Sequence, residues 1–159
     1  MKKTKIILTE HEPNMNPNSA ELANVIINRI GLSPRKQGST EHMHRTFIEL
    51  YERAKNASQK KKPEEAVMTV EEMGTFASIT RQTMYDYLKR WTDLGLIVKT
   101  SYIKDNDVII GYKLNGNTLE SAFDKTQMKI KNNLETTQKY IKELQKVLKN
   151  EKIKKSSKK

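Results

Sequence analysis

The run from Thr69 to Leu114, TVEEMGTFASITRQTMYDYLKRWTDLGLIVKTSYIKDNDVIIGYKL, decides the fold. Thr69 with Glu72 three residues later is a capping-box pattern, so a helix starts there. Val70, Met73 and Ala77 are its inward positions. Ser78-Ile79 interrupts it, and Thr80 caps a second helix running to about Leu94. On that helix Met84, Leu88 and Trp91 recur at i, i+4 and i+7, a stripe that requires burial. Gly95 suits the left-handed residue that follows a helix. Leu96 to Ile103 and Val108 to Leu114 are β-rich, and Lys104-Asp105-Asn106-Asp107 between them is turn-forming, so the pair reads as a hairpin.

Upstream, Val67-Met68 is long enough only for a minimal strand, and residues 56–65 (NASQKKKPEE) read as a solvated connection. Met43, Phe47, Leu50, Tyr51 and Ala54 place a helix beginning near Ser39 or Thr40, after a loop from Ser33 to Gly38. An N-terminal extension, residues 1–38, carries one helix capped by Ser19 and stopped by Gly31. Leu22, Val25, Ile26 and Ile30 are expected on its buried face, while Lys5 to Thr9 reads as a short strand or a frayed end. Downstream, residues 117–151 form one long helix capped by Asn117 or Thr118. Its Ile130, Leu134, Thr137, Ile141, Leu144 and Leu148 alternate steps of four and three, a heptad seam that calls for a partner helix. Residues 152–159 (KIKKSSKK) lack packing capacity and are expected to be a disordered basic tail.

Composition narrows the function. No apolar run approaches the roughly 20 residues of a membrane span, and the Ile6-Ile7-Leu8 run is too short for a signal-peptide core. The sequence therefore reads as a cytoplasmic protein. Without cysteine there is no disulfide framework, thiolate metal site or cysteine nucleophile. His42 and His44 diverge on a helix and His11 is distant, so a zinc site with Glu41 is not expected. No phosphate loop, nucleophile motif or paired-carboxylate signature is present. The reading is a non-enzyme with no cofactor and no metal.

Thirty Lys and Arg against nineteen Asp and Glu give a net charge of +11, which points to a polyanionic partner. The charge is uneven: residues 1–66 carry +4, residues 67–117 are neutral, and residues 118–159 carry +7.

Helix, strand, short helix, turn, second helix and two-stranded wing is the order of a winged helix-turn-helix domain, here spanning residues 39–116. The run Ile79 to Leu88 resembles the recognition-helix segment of prokaryotic winged-helix regulators, and so does the exit Leu94-Gly95-Leu96-Ile97. Gly74 stands at the small-residue position between the two helices, and Ile79 is the apolar plug of the turn. With the long last helix added, the chain resembles archaeal or bacterial transcriptional regulators of the PadR-like kind, which dimerise through a C-terminal helix. The implied fold class is mainly α with a small β-wing plus a C-terminal coiled-coil helix. The chain departs from the pattern at Ser78, where the turn usually has glycine, and at the acidic wing tip, Asp105 and Asp107.

The resemblance implies a dimeric DNA-binding regulator, associated with the nucleoid, that reads the major groove with helix 80–94. A helix buried by Met84, Leu88 and Trp91 presents Arg81, Gln82, Tyr85 and Lys89 on another side. Arg81 suits guanine and Gln82 suits adenine, while the hydroxyls of Thr80 and Thr83 suit phosphate. Arg81, Lys89, Lys99 and Lys113 are expected to share one face, with Glu71, Glu72 and Asp93 elsewhere. Dimerisation falls to Ile130, Leu134, Ile141, Leu144 and Leu148. Blander roles remain open: solvated charges for Arg81 and Lys89, rim packing for Tyr85 and Tyr87, core for Trp91. Two other functions compete, an RNA- or ribosome-binding winged-helix protein and a protein-interaction module built on the winged helix as a platform.

Overall fold

The computed structural model describes residues 5–32 and 42–157. Its elements run α1 (Ser19–Arg29), α2 (Met43–Lys60), a 3-10 turn (Pro63–Ala66), α3 (Val70–Ala77), α4 (Arg81–Asp93), β1 (Ile97–Lys104), β2 (Asp107–Leu114) and α5 (Leu119–Ser157). The architecture is mainly helical, with a two-stranded antiparallel sheet and a long C-terminal helix. The expected loop at Ser33–Gly38, the start near Ser39 or Thr40 and Glu41 lie outside the described residues. The chain forms two compact units, Met1–Lys125 and Thr126–Lys159.

The core of the first unit collects one face from each element. Phe47 and Leu50 of α2, Met73 and Ala77 of α3, and Met84, Leu88 and Trp91 of α4 are buried together with Ile97, Leu114 and Ala122. Phe47 meets Trp91 edge to face, with ring centroids 6.0 Å apart, the arrangement aromatic quadrupoles favour. The buried Thr46 hydroxyl donates to the Met73 carbonyl at 2.7 Å and ties α2 to α3. Arg53 works from the same helix. It pairs with Glu49 at 3.1 Å and Glu72 at 2.6 Å, and donates to the Val67 carbonyl at 3.2 Å. Burial disfavours the Glu72 carboxylate, but Arg53 and Thr69 outweigh that cost and hold its pKa below the usual value.

The capping box is complete: the Thr69 hydroxyl accepts from the Glu72 N–H, and the Glu72 carboxylate accepts from the Thr69 N–H. Ser78 closes α3 in the left-handed region at φ 59°, so serine does here what glycine does more cheaply. A Cβ on Gly74 would lie 2.9 Å from the Ile79 carbonyl oxygen. The close approach that keeps Gly74 small is therefore to the turn backbone, whose Ile79 N–H also donates to the Gly74 carbonyl at 2.9 Å. Gly95 ends α4 at φ 78°.

The hairpin is tighter than the four-residue turn expected. Lys104 pairs with Asp107, leaving a two-residue turn in which Asp105 and Asn106 both have positive φ, 51° and 66°. That is the type I′ geometry matching the twist of the strands, and Asp and Asn tolerate it best after glycine. Met68 adds a one-residue third strand. It exchanges two backbone hydrogen bonds of 2.8 Å with Tyr112.

Five expectations need correction. The cap of α1 is Asn18, whose side chain accepts from the Glu21 N–H at 2.8 Å, and not Ser19. The buried face of α1 is Ala23, Val25, Ile27 and Ile30, while Leu22 and Ile26 are exposed. The segment Lys5 to Thr9 is not a strand; its Thr9 N–H donates to the Arg29 carbonyl at the end of α1. Residues 56–60 continue α2, because Asn, Ala, Ser, Gln and Lys carry no helix-stopping residue before Pro63. Finally, residues 152–157 are the helical end of α5 and not a disordered tail, with 158–159 outside the described residues. Extending a helix already nucleated requires no packing surface, only residues with adequate propensity such as Lys and Ile.

Candidate nucleic-acid interface

The candidate face begins at the α4 N-terminus, where the Thr80 hydroxyl accepts from the Thr83 N–H at 3.2 Å and donates to the Thr83 hydroxyl at 3.0 Å. Both hydroxyls proposed for phosphate thus serve the cap. Arg81, Gln82, Tyr85 and Lys89 are exposed, and Arg81, Tyr85 and Lys89 follow at i, i+4 and i+8 on one side of the helix. The Arg81 guanidinium lies over the Tyr85 ring, 5.6 Å from its centroid, and donates to the Tyr85 hydroxyl at 3.3 Å. This holds a long side chain against the helix and lowers the entropy it would lose on binding.

Two findings overturn the expected charge layout. Glu71 is not elsewhere: its carboxylate is 3.3 Å from the Arg81 guanidinium. The Arg81 fork must exchange that carboxylate for any base it is to read. Lys99 and Lys113, expected on one face, lie on opposite faces of the hairpin. Lys99 is paired with Tyr112 and Lys113 with Val98, and cross-strand partners project to the same side while successive residues alternate. Lys99 shares its face with Tyr112, and burial, then the nearby Tyr85, push the Tyr112 phenol above its ordinary pKa. The α4 side of the hairpin is therefore the Lys99 side. Lys113 belongs elsewhere.

Toward its tip the Lys99 face turns apolar. Ile103 pairs with Val108, Ile110 lies on the same side, and all three are exposed. β propensity alone does not reveal this patch, because it does not say which face each strand residue takes. The signal was available in the register. Lys89, further along α4, stands three residues from Asp86 and four from Asp93, close enough for both to temper its charge. Tyr87, assigned to the rim, is buried.

In the second unit the seam is solvent-exposed, with Leu134 at 64%, Ile141 at 47%, Leu144 at 57% and Leu148 at 54% relative exposure, and Ile130 half-buried. Thr137, its polar member, donates its hydroxyl to the Asn133 carbonyl at 3.1 Å. Tyr140 and Val147 widen the same stripe and are also exposed.

Among the described residues no group of three or more His, Asp and Glu side chains is placed to hold a metal ion, and no helix is long and apolar enough to cross a membrane. Burial, His42 and Arg45 together lower the His44 pKa. The chain matches no family model, no curated protein and no solved structure.

Proposed function

We propose that this protein is a winged-helix DNA-binding regulator that acts as a homodimer, with α4 as the helix entering the major groove. The observation carrying the reading is the division of labour on α4. Met84, Leu88 and Trp91 fix the helix in the core, while Arg81, Gln82 and Tyr85 stand exposed at its N-terminal end. The N-terminal residues of such a helix are the ones that reach base edges, and Arg and Gln are the types with bidentate partners there. The seam of α5 supports dimerisation, since an exposed run of aliphatic side chains at heptad spacing is covered most simply by a second copy. The +7 charge of residues 118–159 adds sequence-independent attraction for a polyanion.

The exposed Ile103, Val108 and Ile110 favour a second reading, a protein-interaction module, because an apolar hairpin face beside α4 gains little from phosphate. One experiment separates the readings: selection of binding sites from randomised duplex DNA, with duplex and single-stranded RNA as competitors. A regulator recovers a two-fold symmetric site that RNA does not compete for, as the deep, narrow RNA major groove excludes a helix. Failure to enrich any sequence refutes the DNA reading.

A further inference from the structure

At the end of β2, the C-terminal part of α2, the 3-10 turn and the start of α5 line an open pocket of about 430 Å³. That volume lies within the range of about 300–1,000 Å³ typical of small-molecule sites. Three lysines are among the residues that line it, Lys61, Lys113 and Lys125, and the lining contains no carboxylate.

Each lysine is set by a different part of the fold. Lys61 caps α2 in the left-handed region at φ 55°, its N–H held by α2 carbonyls. Lys113 is fixed by its place in β2 opposite Val98. Lys125 donates from Nζ to the Asn115 carbonyl at 2.7 Å and to Asn115 Oδ1 at 3.3 Å. Those partners are neutral, so they orient the ammonium without cancelling its charge. Some other cations of the first unit, Arg53, Lys55, Lys60 and Arg81, have carboxylates within 4.0 Å. Three like charges around one concavity raise its potential and reward an anion. The rest of the lining includes Ala54, Ala57 and Leu114. The small alanines leave the space open and make part of its wall apolar.

We propose that this cavity binds a phosphorylated organic molecule of about mononucleotide size, its phosphate on the three lysines and its less polar body against the alanines. A dianionic phosphate offers acceptors to several ammonium donors at once, which a single carboxylate does less well. The site is separate from the α4 face and does not rest on the DNA reading. It gives the basic character of Lys113 a use that its position in the hairpin denies it at α4.

The test is calorimetric titration of the full-length protein, free of nucleic acid, with adenosine 5′-monophosphate, adenosine and inorganic phosphate. The monophosphate should bind more tightly than either of its parts. Lys113→Met and Lys125→Met keep the aliphatic stem, and each should weaken it about tenfold, the loss of one charge-assisted contact. Lys142→Met in α5 removes the same charge from outside the cavity and should leave affinity unchanged. Circular dichroism melts confirm that the variants are folded, and chemical shifts of a ¹⁵N-labelled sample should move at 113–117 first. Equal binding of adenosine, or equal weakening by Lys142→Met, overturns the site. Inorganic phosphate binding as tightly as the monophosphate overturns the organic ligand. Displacement of the monophosphate by a short DNA duplex, at a duplex concentration matched in phosphate, assigns the lysines to nucleic acid and overturns the small-molecule site.

Discussion

Replacing Gly111 with alanine tests how the hairpin is joined to the helical core. A Cβ at that position would sit 2.5 Å from the Met68 carbonyl oxygen and 2.6 Å from Val67 Cγ1. The first is backbone and cannot swing away, and Val67 is itself buried. The strand must therefore part from Met68, which strains or breaks the two 2.8 Å hydrogen bonds that Met68 exchanges with Tyr112. Overpacking costs about 1–3 kcal/mol, and each lost backbone bond adds about 0.5–1.5 kcal/mol. The expected destabilisation is about 2–6 kcal/mol if both bonds are lost, a large part of a typical total of about 5–15 kcal/mol. Gly95→Ala is the matched control. It meets nothing within 4 Å, and its difficulty is only φ 78°, for which about 1–2 kcal/mol is expected. Urea unfolding of both variants gives the comparison. Gly111→Ala falling within about 0.5 kcal/mol of wild type, the range of ordinary surface changes, would refute the tight edge described for Met68.

Other predictions follow the same elements. Leu144→Asp should convert a dimer to a monomer in light scattering while the Trp91 environment is retained; burying each seam leucine is worth about 1.5–3 kcal/mol, and a monomeric wild type at micromolar concentration contradicts the dimer. Arg81→Ala should cost about 1–3 kcal/mol on the selected DNA site and relax one base pair, whereas Lys89→Ala should weaken all duplexes alike and lower the salt slope by roughly one unit; unchanged sequence preference in Arg81→Ala removes α4 from base reading. Glu72 has its pKa depressed on folding, so its contribution is complete above the unfolded pKa and lost as pH falls through the lower folded one. Acid titration of stability should show that loss in wild type and less of it in Glu72→Gln.

The sequence was most legible where structure is decided locally. Thr69 and Glu72, Ser78, Thr80 and Gly95 mark α3 and α4 to within a residue, because caps and left-handed stops depend on neighbours in the chain. The core stripe of α4 was equally plain, since Met84, Leu88 and Trp91 are its apolar minority. α1 offered no such contrast. Leu22, Val25, Ile26, Ile27 and Ile30 occur on several sides of that helix, and packing against the rest of the core selects Ile27 over Ile26. The clamp of Arg53 on Glu72 joins residues nineteen apart on different helices, which no local pattern reveals. Lys99 and Lys113 are separated by strand alternation in a fixed register, which charge counted along the chain does not carry.

The chain has one tryptophan, and it is the fully buried Trp91 against Phe47. Its indole N–H has no hydrogen-bond partner among the described residues. An indole in such a setting emits at short wavelength and shifts to the red once water reaches it. Trp91 is therefore a native optical probe of the α2–α4 packing, and it is blind to residues 126–159. Far-ultraviolet dichroism reports on both units, because most of the 39-residue α5 lies beyond Lys125 while α1 to α4 lie before it. Following both signals through one denaturation separates the melting of the two units without a label, and non-coincident transitions would show that they unfold independently.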